Sequence, residues 1–228
     1  MTTALPQGEV KARAVRGMFD AIAPRYDLVN RLMTFGLDIR WRRRAVRSLA
    51  LPAGSRVVDV ACGTGDLCRD LASARLRPIG VDFSAGMLAH ARTDAPLVEA
   101  DALALPIADS SIDGAVSGFA LRNFTDLAAM ARELARVIRP LGRIALLDVA
   151  QPEHPLLRWG HSIYFGKVVP RIGGLLSDAA AYRYLPESVA YLPPPGELVE
   201  LVRDAGFERV ERRLLSGGIT QLITGTRA

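Results

Sequence analysis

Residues 57–66 read Val57-Val58-Asp59-Val60-Ala61-Cys62-Gly63-Thr64-Gly65-Asp66. The β-branched run over 56–60, bounded by Gly54 and Gly63, has the length of a buried strand, and 67–74 has the pattern of a helix opening from the glycine loop. Outward from that unit the alternation continues. A second strand over 77–81 ends on Asp82, Ser84 can cap a helix through His90, and 97–100 and 114–118 read as further strands. Residues 126–138 carry Leu127, Met130, Leu134, Val137 and Ile138 at helical spacing, and 143–149 read as a fifth strand. A helix over 197–205 ends at Gly206, and 208–215 and 219–226 flank Ser216-Gly217-Gly218 as a hairpin. Seven strands interleaved with helices predict an α/β fold, with a mostly parallel sheet covered on both faces.

Length and composition agree with a single domain over 1–228: half of the 228 residues are hydrophobic and 23% are charged, which excludes disorder and disulfide miniproteins. Within it, 1–50 read as a helical N-terminal arm interrupted near 34–37, its helix beginning at Met18. Residues 51–150 read as the core, 151–195 as a helical lid rich in aromatics, Gly and Pro, and 196–228 as a closing helix and hairpin. The formal charge is +5, and only Lys11 and Lys167 of the 29 basic residues are lysine. Cys62 and Cys68 form no CxxC pair, so a reducing, cytoplasmic compartment fits. No apolar segment of about 18 residues is free of charge, so neither a signal peptide nor a membrane span is expected.

The glycine loop lies where ligands bind a parallel sheet, at the carboxyl ends of its strands. A dinucleotide would want a third glycine and a helix N-terminus free for pyrophosphate. Here Asp66 takes the third position, and with Asp59 it sets two carboxylates around the loop, which repel a diphosphate and attract the sulfonium and ammonium of S-adenosylmethionine. Asp82 can accept both ribose hydroxyls, Asp101 at the end of the third strand can accept the adenine amino group, and Ser117 ends the fourth. This is the outline of a class I S-adenosylmethionine-dependent methyltransferase. No metal is expected, since His90, His154 and His161 have no ligand spacing.

Longer motifs narrow the class. Tyr26-Asp27-Leu28-Val29-Asn30 with Trp41, Phe119-Ala120-Leu121-Arg122-Asn123, 136–142 ending Pro140-Leu141-Gly142, Tyr182-Arg183-Tyr184-Leu185, Gly206-Phe207 and Ser216-Gly217-Gly218 together resemble the ubiquinone and menaquinone biosynthesis C-methyltransferases. Val29, Thr34 and Asp38 replace that family's Met, Ser and His, and Asp148 stands where it usually has Glu. The resemblance implies methylation of a ring carbon of a polyprenylated quinol, with Gly63, Thr64, Asp82, Asp101, Ala102 and Ser117 at the cofactor. The Arg-rich composition is similar to that of high-GC actinobacteria, which generally use menaquinone, and this favours demethylmenaquinol as acceptor.

Such chemistry needs electron density at the ring carbon. Arg122, just past the fourth strand, is the candidate to stabilise the phenolate, Asp148, ending the fifth, to take the proton, and Tyr26 and Asn123 to contact substrate. Leu156, Leu157, Trp159, Ile163, Tyr164, Phe165, Val168 and Val169 are candidates for a route for the polyprenyl tail, with a hinge at Pro170 and Gly173-Gly174. Arg40, Arg43, Arg44 and Arg47 share one helix face, opposite Ala45 and Leu49, which suits an anionic membrane surface or solvent equally. A ubiquinol precursor, another small acceptor, and a non-catalytic cofactor-binding subunit remain as alternatives. A nucleic-acid partner is not expected, because aromatics do not interleave the arginines. A homodimer is compatible with the sequence.

Overall fold

The computed structural model describes residues 7–164, 166, 169, 171, 184 and 188–228. Phe165, Val168, the Pro170 and Gly173-Gly174 hinge, and Tyr182, Arg183 and Leu185 lie outside the described residues. The N-terminal arm comprises α1 (Gly8–Ile22), α2 (Tyr26–Met33) and α3 (Leu37–Ser48). The core follows as β1 (Arg56–Val60), α4 (Asp66–Ser73), β2 (Arg77–Asp82), α5 (Ala85–Ala89), β3 (Leu97–Glu99), β4 (Ile112–Gly118), α6 (Leu127–Val137) and β5 (Ile138–Val149). Then come α7 (Pro155–Ile163), α8 (Pro195–Asp204), β6 (Phe207–Leu215) and β7 (Thr220–Arg227).

The seven strands form one sheet in the order β3-β2-β1-β4-β5-β7-β6, with β7 antiparallel to both neighbours and the rest parallel. Period-two alternation divides the core. Val57, Val116, Ala145, Leu147 and Leu222 pack under α3 and α4, while Val58, Ala115, Ile144, Leu146 and Ile223 pack under α6 and α8. A third cluster, Ile22, Val29, Met33 and Val169, belongs to the arm and the region after α7.

The observed elements extend the sequence reading in two places. The arm is helical from Gly8 rather than Met18, because α1 buries only Lys11, Val15 and Ile22, too thin an apolar stripe for periodicity to register. A kink at Pro24 then separates it from α2. β5 also starts earlier, at Ile138, which pairs with Ile112 before the register resumes at Gly114 and Arg143. The intervening residues bulge outward, and at Gly142 a Cβ would stand 2.7 Å from the Asp113 carbonyl oxygen, so only glycine fits there. The Ser84 cap forms as expected, accepting from Met87 N–H at 3.1 Å.

Candidate functional site

The chain order runs β3-β2-β1 to one side and β4-β5 to the other, so the switch point falls between β1 and β4, and ligands bind outside the strand ends there. A cavity occupies that place. Ala61 and Gly63 after β1, Val81 to Phe83 at β2, Asp101 and Ala102 past β3, Gly118 and Phe119 at β4, and Ala12, Phe19 and Tyr26 of the arm line it. Gly65 ends the loop at φ 81°, and a Cβ there would stand 2.7 Å from Thr93 Cγ2, so the turn into α4 requires glycine.

Asp82 is the centre of this cavity's polar edge. Gly63 N–H donates to its Oδ2 at 2.7 Å and Ser84 N–H to its Oδ1 at 2.9 Å. Burial pushes its carboxyl above the usual range, and the backbone donors oppose that shift. Each carboxylate oxygen keeps a lone pair for a ligand. Asp101 is exposed at the rim and accepts from Leu103 N–H at 2.9 Å. Thr64 and Ser117 lie behind the lining. Thr64 O–H donates to Asp27 of α2, tying the glycine loop to the arm. Ser117 is fully buried on β4, and its hydroxyl has no partner among the described residues. Two free acceptor edges, an orphaned hydroxyl and a glycine loop without basic residues fit an adenosyl group bearing a positive sulfur.

A second cavity, of about 410 Å³, adjoins the first. Met33 and Phe35 of the arm, Leu37 and Trp41 of α3, Val149 at the end of β5 and Pro152 beyond it, Leu156 and Leu157 of α7, Tyr164 just past α7, and Ile219 make it predominantly apolar. Tyr26 and Phe119 line both cavities, so the two meet at these rings. Phe119 is held at φ 61°, a conformation that costs a bulky residue about 1–3 kcal/mol. Its N–H donates to Leu147 O at 2.7 Å, which fixes it there. Trp41 packs on it with ring centroids 6.2 Å apart. Burial holds the Tyr26 phenol above its usual range.

Arg122 lines the apolar cavity, while Asp148 lies behind it. Asp148 has no exposure, forms an ion pair with the Arg122 guanidinium, and accepts from Arg122 N–H at 3.2 Å and Val149 N–H at 2.7 Å. Arg122 is held further by Ser188 Oγ at 3.0 Å and Phe119 O at 2.7 Å. Asn123 lines the cofactor-side cavity rather than the apolar one, and its Oδ1 accepts from the Tyr184 hydroxyl at 3.3 Å.

Several groups in the apolar cavity escaped the sequence reading. Asn30, Asp38, Arg42 and Thr220 line it, and so does Ser216, which accepts from Trp41 Nε1 at 2.9 Å. The signals available were the departure of Thr34 and Asp38 from the family text and the place of Asn30 and Ser216 within the motifs that carry the resemblance. Lys11 was also missed: it donates to Phe124 O at 2.8 Å beneath the Tyr191 ring, clasping α1 over the cofactor-side cavity.

The sheet order and the cavity at the switch point define a class I methyltransferase fold. Solved structures share it: the [4+2]-cyclase SpnF superposes with a TM-score of 0.69 at 16% identity, covering 99% of this chain and 97% of that one. A SAM-dependent methyltransferase from Thermotoga maritima gives 0.65 at 22% identity, covering 93% and 99%. A cyclase among these neighbours shows that the fold does not fix the reaction. The sequence does fix the family. Residues 7–227 match the ubiE/COQ5 methyltransferase family, and the chain belongs to it. The ubiquinone/menaquinone biosynthesis C-methyltransferase of Syntrophotalea carbinolica is 44% identical, covering 93% of this chain and 94% of that protein. The demethylmenaquinone methyltransferase of Roseiflexus castenholzii is 43% identical, covering 99% and 98%. The protein is a methyltransferase.

Proposed function

We propose that this methyltransferase moves a methyl group from S-adenosylmethionine to a ring carbon of a polyprenylated quinol, with demethylmenaquinol as the preferred acceptor. The observation that carries the reading is the pair of cavities meeting at Tyr26 and Phe119, one acid-edged at the strand ends and one large and apolar. The names of the relatives favour the same chemistry. When bound, the cofactor supplies an electrophilic methyl group on a sulfonium. Asp82 would hold the ribose hydroxyls and Asp101 the adenine amino group, with Gly63, Thr64, Ala102 and Ser117 shaping the remainder of that site.

The acceptor must become nucleophilic at carbon. A phenol of pKa about 10 is ionised to about one part in a thousand at pH 7, an offset of about 4 kcal/mol. Arg122, which lines the apolar cavity, would stabilise the oxyanion, and Asp148, sealed behind it, would orient the guanidinium rather than meet the substrate. The test is transfer of labelled methyl to demethylmenaquinol, compared with a ubiquinol precursor and with a soluble catechol. We expect the first to be methylated fastest and Arg122→Lys to lower kcat at least tenfold with the affinity for S-adenosylhomocysteine unchanged. No transfer to either quinol would refute the reading.

A lipid-borne acceptor also calls for contact with a bilayer from the cytoplasmic side. Phe35, Leu156 and Leu157 line the apolar cavity and yet are 79%, 68% and 50% exposed, so its rim is itself apolar. No described helix is long and apolar enough to cross a membrane. Arg40, Arg43, Arg44 and Arg47 are exposed on α3, and four such charges near anionic lipid contribute about 4 kcal/mol. Cosedimentation with phosphatidylglycerol vesicles should weaken when the four become Gln. Unchanged cosedimentation would remove the membrane contact.

A further inference from the structure

The apolar cavity contains one carboxylate among its described lining residues, that of Asp38. It is 2% exposed, a place that an acid occupies only with partners. Its two oxygens are held separately: Thr34 O–H donates to Oδ1 at 2.7 Å, and Arg42 Nη1 to Oδ2 at 2.7 Å. An ionised carboxylate has about four acceptor positions, so these two bonds fix its orientation and leave lone pairs for a cavity ligand. Arg42 is itself anchored on the far side by Asp66 at 2.9 Å and Asp70 at 3.4 Å of α4. One helical turn on from Asp38, Trp41 packs on Phe119, the ring at which the cavities meet. Asp38 therefore shares a helix face with the wall beside which the methyl group must arrive.

Asp148, by contrast, is sealed behind Arg122, and Asp27 is engaged with the glycine loop through Thr64. Asp38 also occupies the position where the family text carries His, another side chain able to accept a proton.

We propose that Asp38 is a catalytic residue that accepts the proton from the acceptor's ring hydroxyl, held in place by Thr34 and Arg42. The inference rests on the quinol reading above. The O–H bond breaks, its electron pair stays on oxygen, and the proton passes to a carboxylate oxygen of Asp38. Once the methylated ring carbon releases its hydrogen to water as a proton, the C–H pair restores the aromatic ring. The ring oxygen then takes its proton back from Asp38. One proton leaves per turnover, and Asp38 ends ionised.

The charged and titratable groups around it are Arg42 on its own helix, Asp66 and Asp70 of α4 beyond that guanidinium, Arg31 of α2, which reaches Asp66, and Tyr26, Arg122 and Tyr164 on the cavity walls.

The test uses the full chain and two variants. Asp38→Asn should lower kcat by about a hundredfold or more, within the usual range for general base catalysis, with S-adenosylhomocysteine affinity within threefold of the parent. Asp38→His should retain activity at pH 8, with the acid limb of its kcat/KM profile moved up towards about 6.5, the histidine range. A readout without methyl transfer is the affinity for 1-naphthol, followed by protein fluorescence between pH 4 and 8. At pH 7 it should be higher in the parent than in Asp38→Asn, and in Asp38→His it should rise with pH near 6.5, the histidine range. Should Asp38→Asn lose S-adenosylhomocysteine binding through misfolding, the Asp38→His profile and the naphthol titration decide. An Asp38→Asn enzyme with more than a tenth of parental kcat, or an unmoved limb in Asp38→His, would overturn the proposal and leave the quinol reading standing. A parent inactive on both quinols would overturn the two together.

Discussion

Asp59 is the residue whose chemistry is most at odds with its place. It sits mid-strand on β1 with no exposure, accepts from Cys68 Sγ at 3.3 Å through Oδ2, and its Oδ1 has no partner among the described residues. Burial, reinforced by the nearby Asp82 and opposed by the Cys68 bond, pushes its carboxyl up to about 7. The linkage has a definite sign. Between about pH 4 and 7 the folded chain holds a proton that the unfolded chain has released, so stability falls as pH rises through that window and is level above it. The slope is at most about 1.4 kcal/mol per pH unit. Urea unfolding at pH 5.5 and pH 7.5 should show the parent more stable at the lower pH, relative to Asp59→Asn measured alongside. Equal pH dependence in the two proteins would mean that Asp59 folds as a carboxylate.

At the scale of elements, the joint between α3 and α4 sets a sharper contrast. α3 carries Arg40, Arg42, Arg43, Arg44 and Arg47; Arg42 is 8% exposed, and the other four are exposed. Arg42 pairs with three carboxylates, Asp38, Asp66 and Asp70, whereas Arg43 reaches Asp70 at 3.6 Å from solvent. Arg42→Met should cost about 3–5 kcal/mol in urea unfolding, because it leaves the buried Asp38 carboxylate without its ion-pair partner, and Arg43→Met less than about 1 kcal/mol. Similar losses would show that the buried network holds nothing. The same helix shows what a sequence can and cannot convey. Periodicity places the arginine face opposite Ala45 and Leu49, and both are buried. It cannot single out Arg42, because two of the three acids that draw it inward, Asp66 and Asp70, lie on another helix. The glycine loop, Asp82 and the Ser84 cap were legible because strand, turn and cap are local. The apolar cavity was not, since Met33, Trp41, Val149, Leu157 and Thr220 come together only through the sheet's crossovers.

Over the whole molecule, the α1–α2 stretch of the arm is the part that helps complete both cavities while contributing least to the core. Its own cluster of Ile22, Val29, Met33 and Val169 is small beside the two clusters that flank the sheet. It is held to the core instead by polar ties, Lys11 to Phe124 O, Asp20 to Ser84 Oγ at 2.6 Å and Gly86 N–H at 3.0 Å, and Asp27 to Thr64, and to the segment after α7 by Tyr164 O–H to Met33 O at 2.7 Å. Three of these ties end within or beside the cofactor-side cavity, so a ligand there should secure the arm as well as the loop. A segment with few buried apolar contacts opens at lower free energy than the sheet. Hydrogen exchange should therefore find residues 8–33 less protected than β1, β4 and β5 in the free protein. S-adenosylhomocysteine at 100 times its Kd should slow their exchange by up to about a hundredfold, the limit set by mass action. The sheet amides, which exchange by global opening, would slow by the same limiting factor, because the ligand opposes unfolding of the whole chain. Exchange in 8–33 as slow as in the sheet before any ligand is added would show that the arm is part of the same cooperative unit, and that the cavities stand preformed.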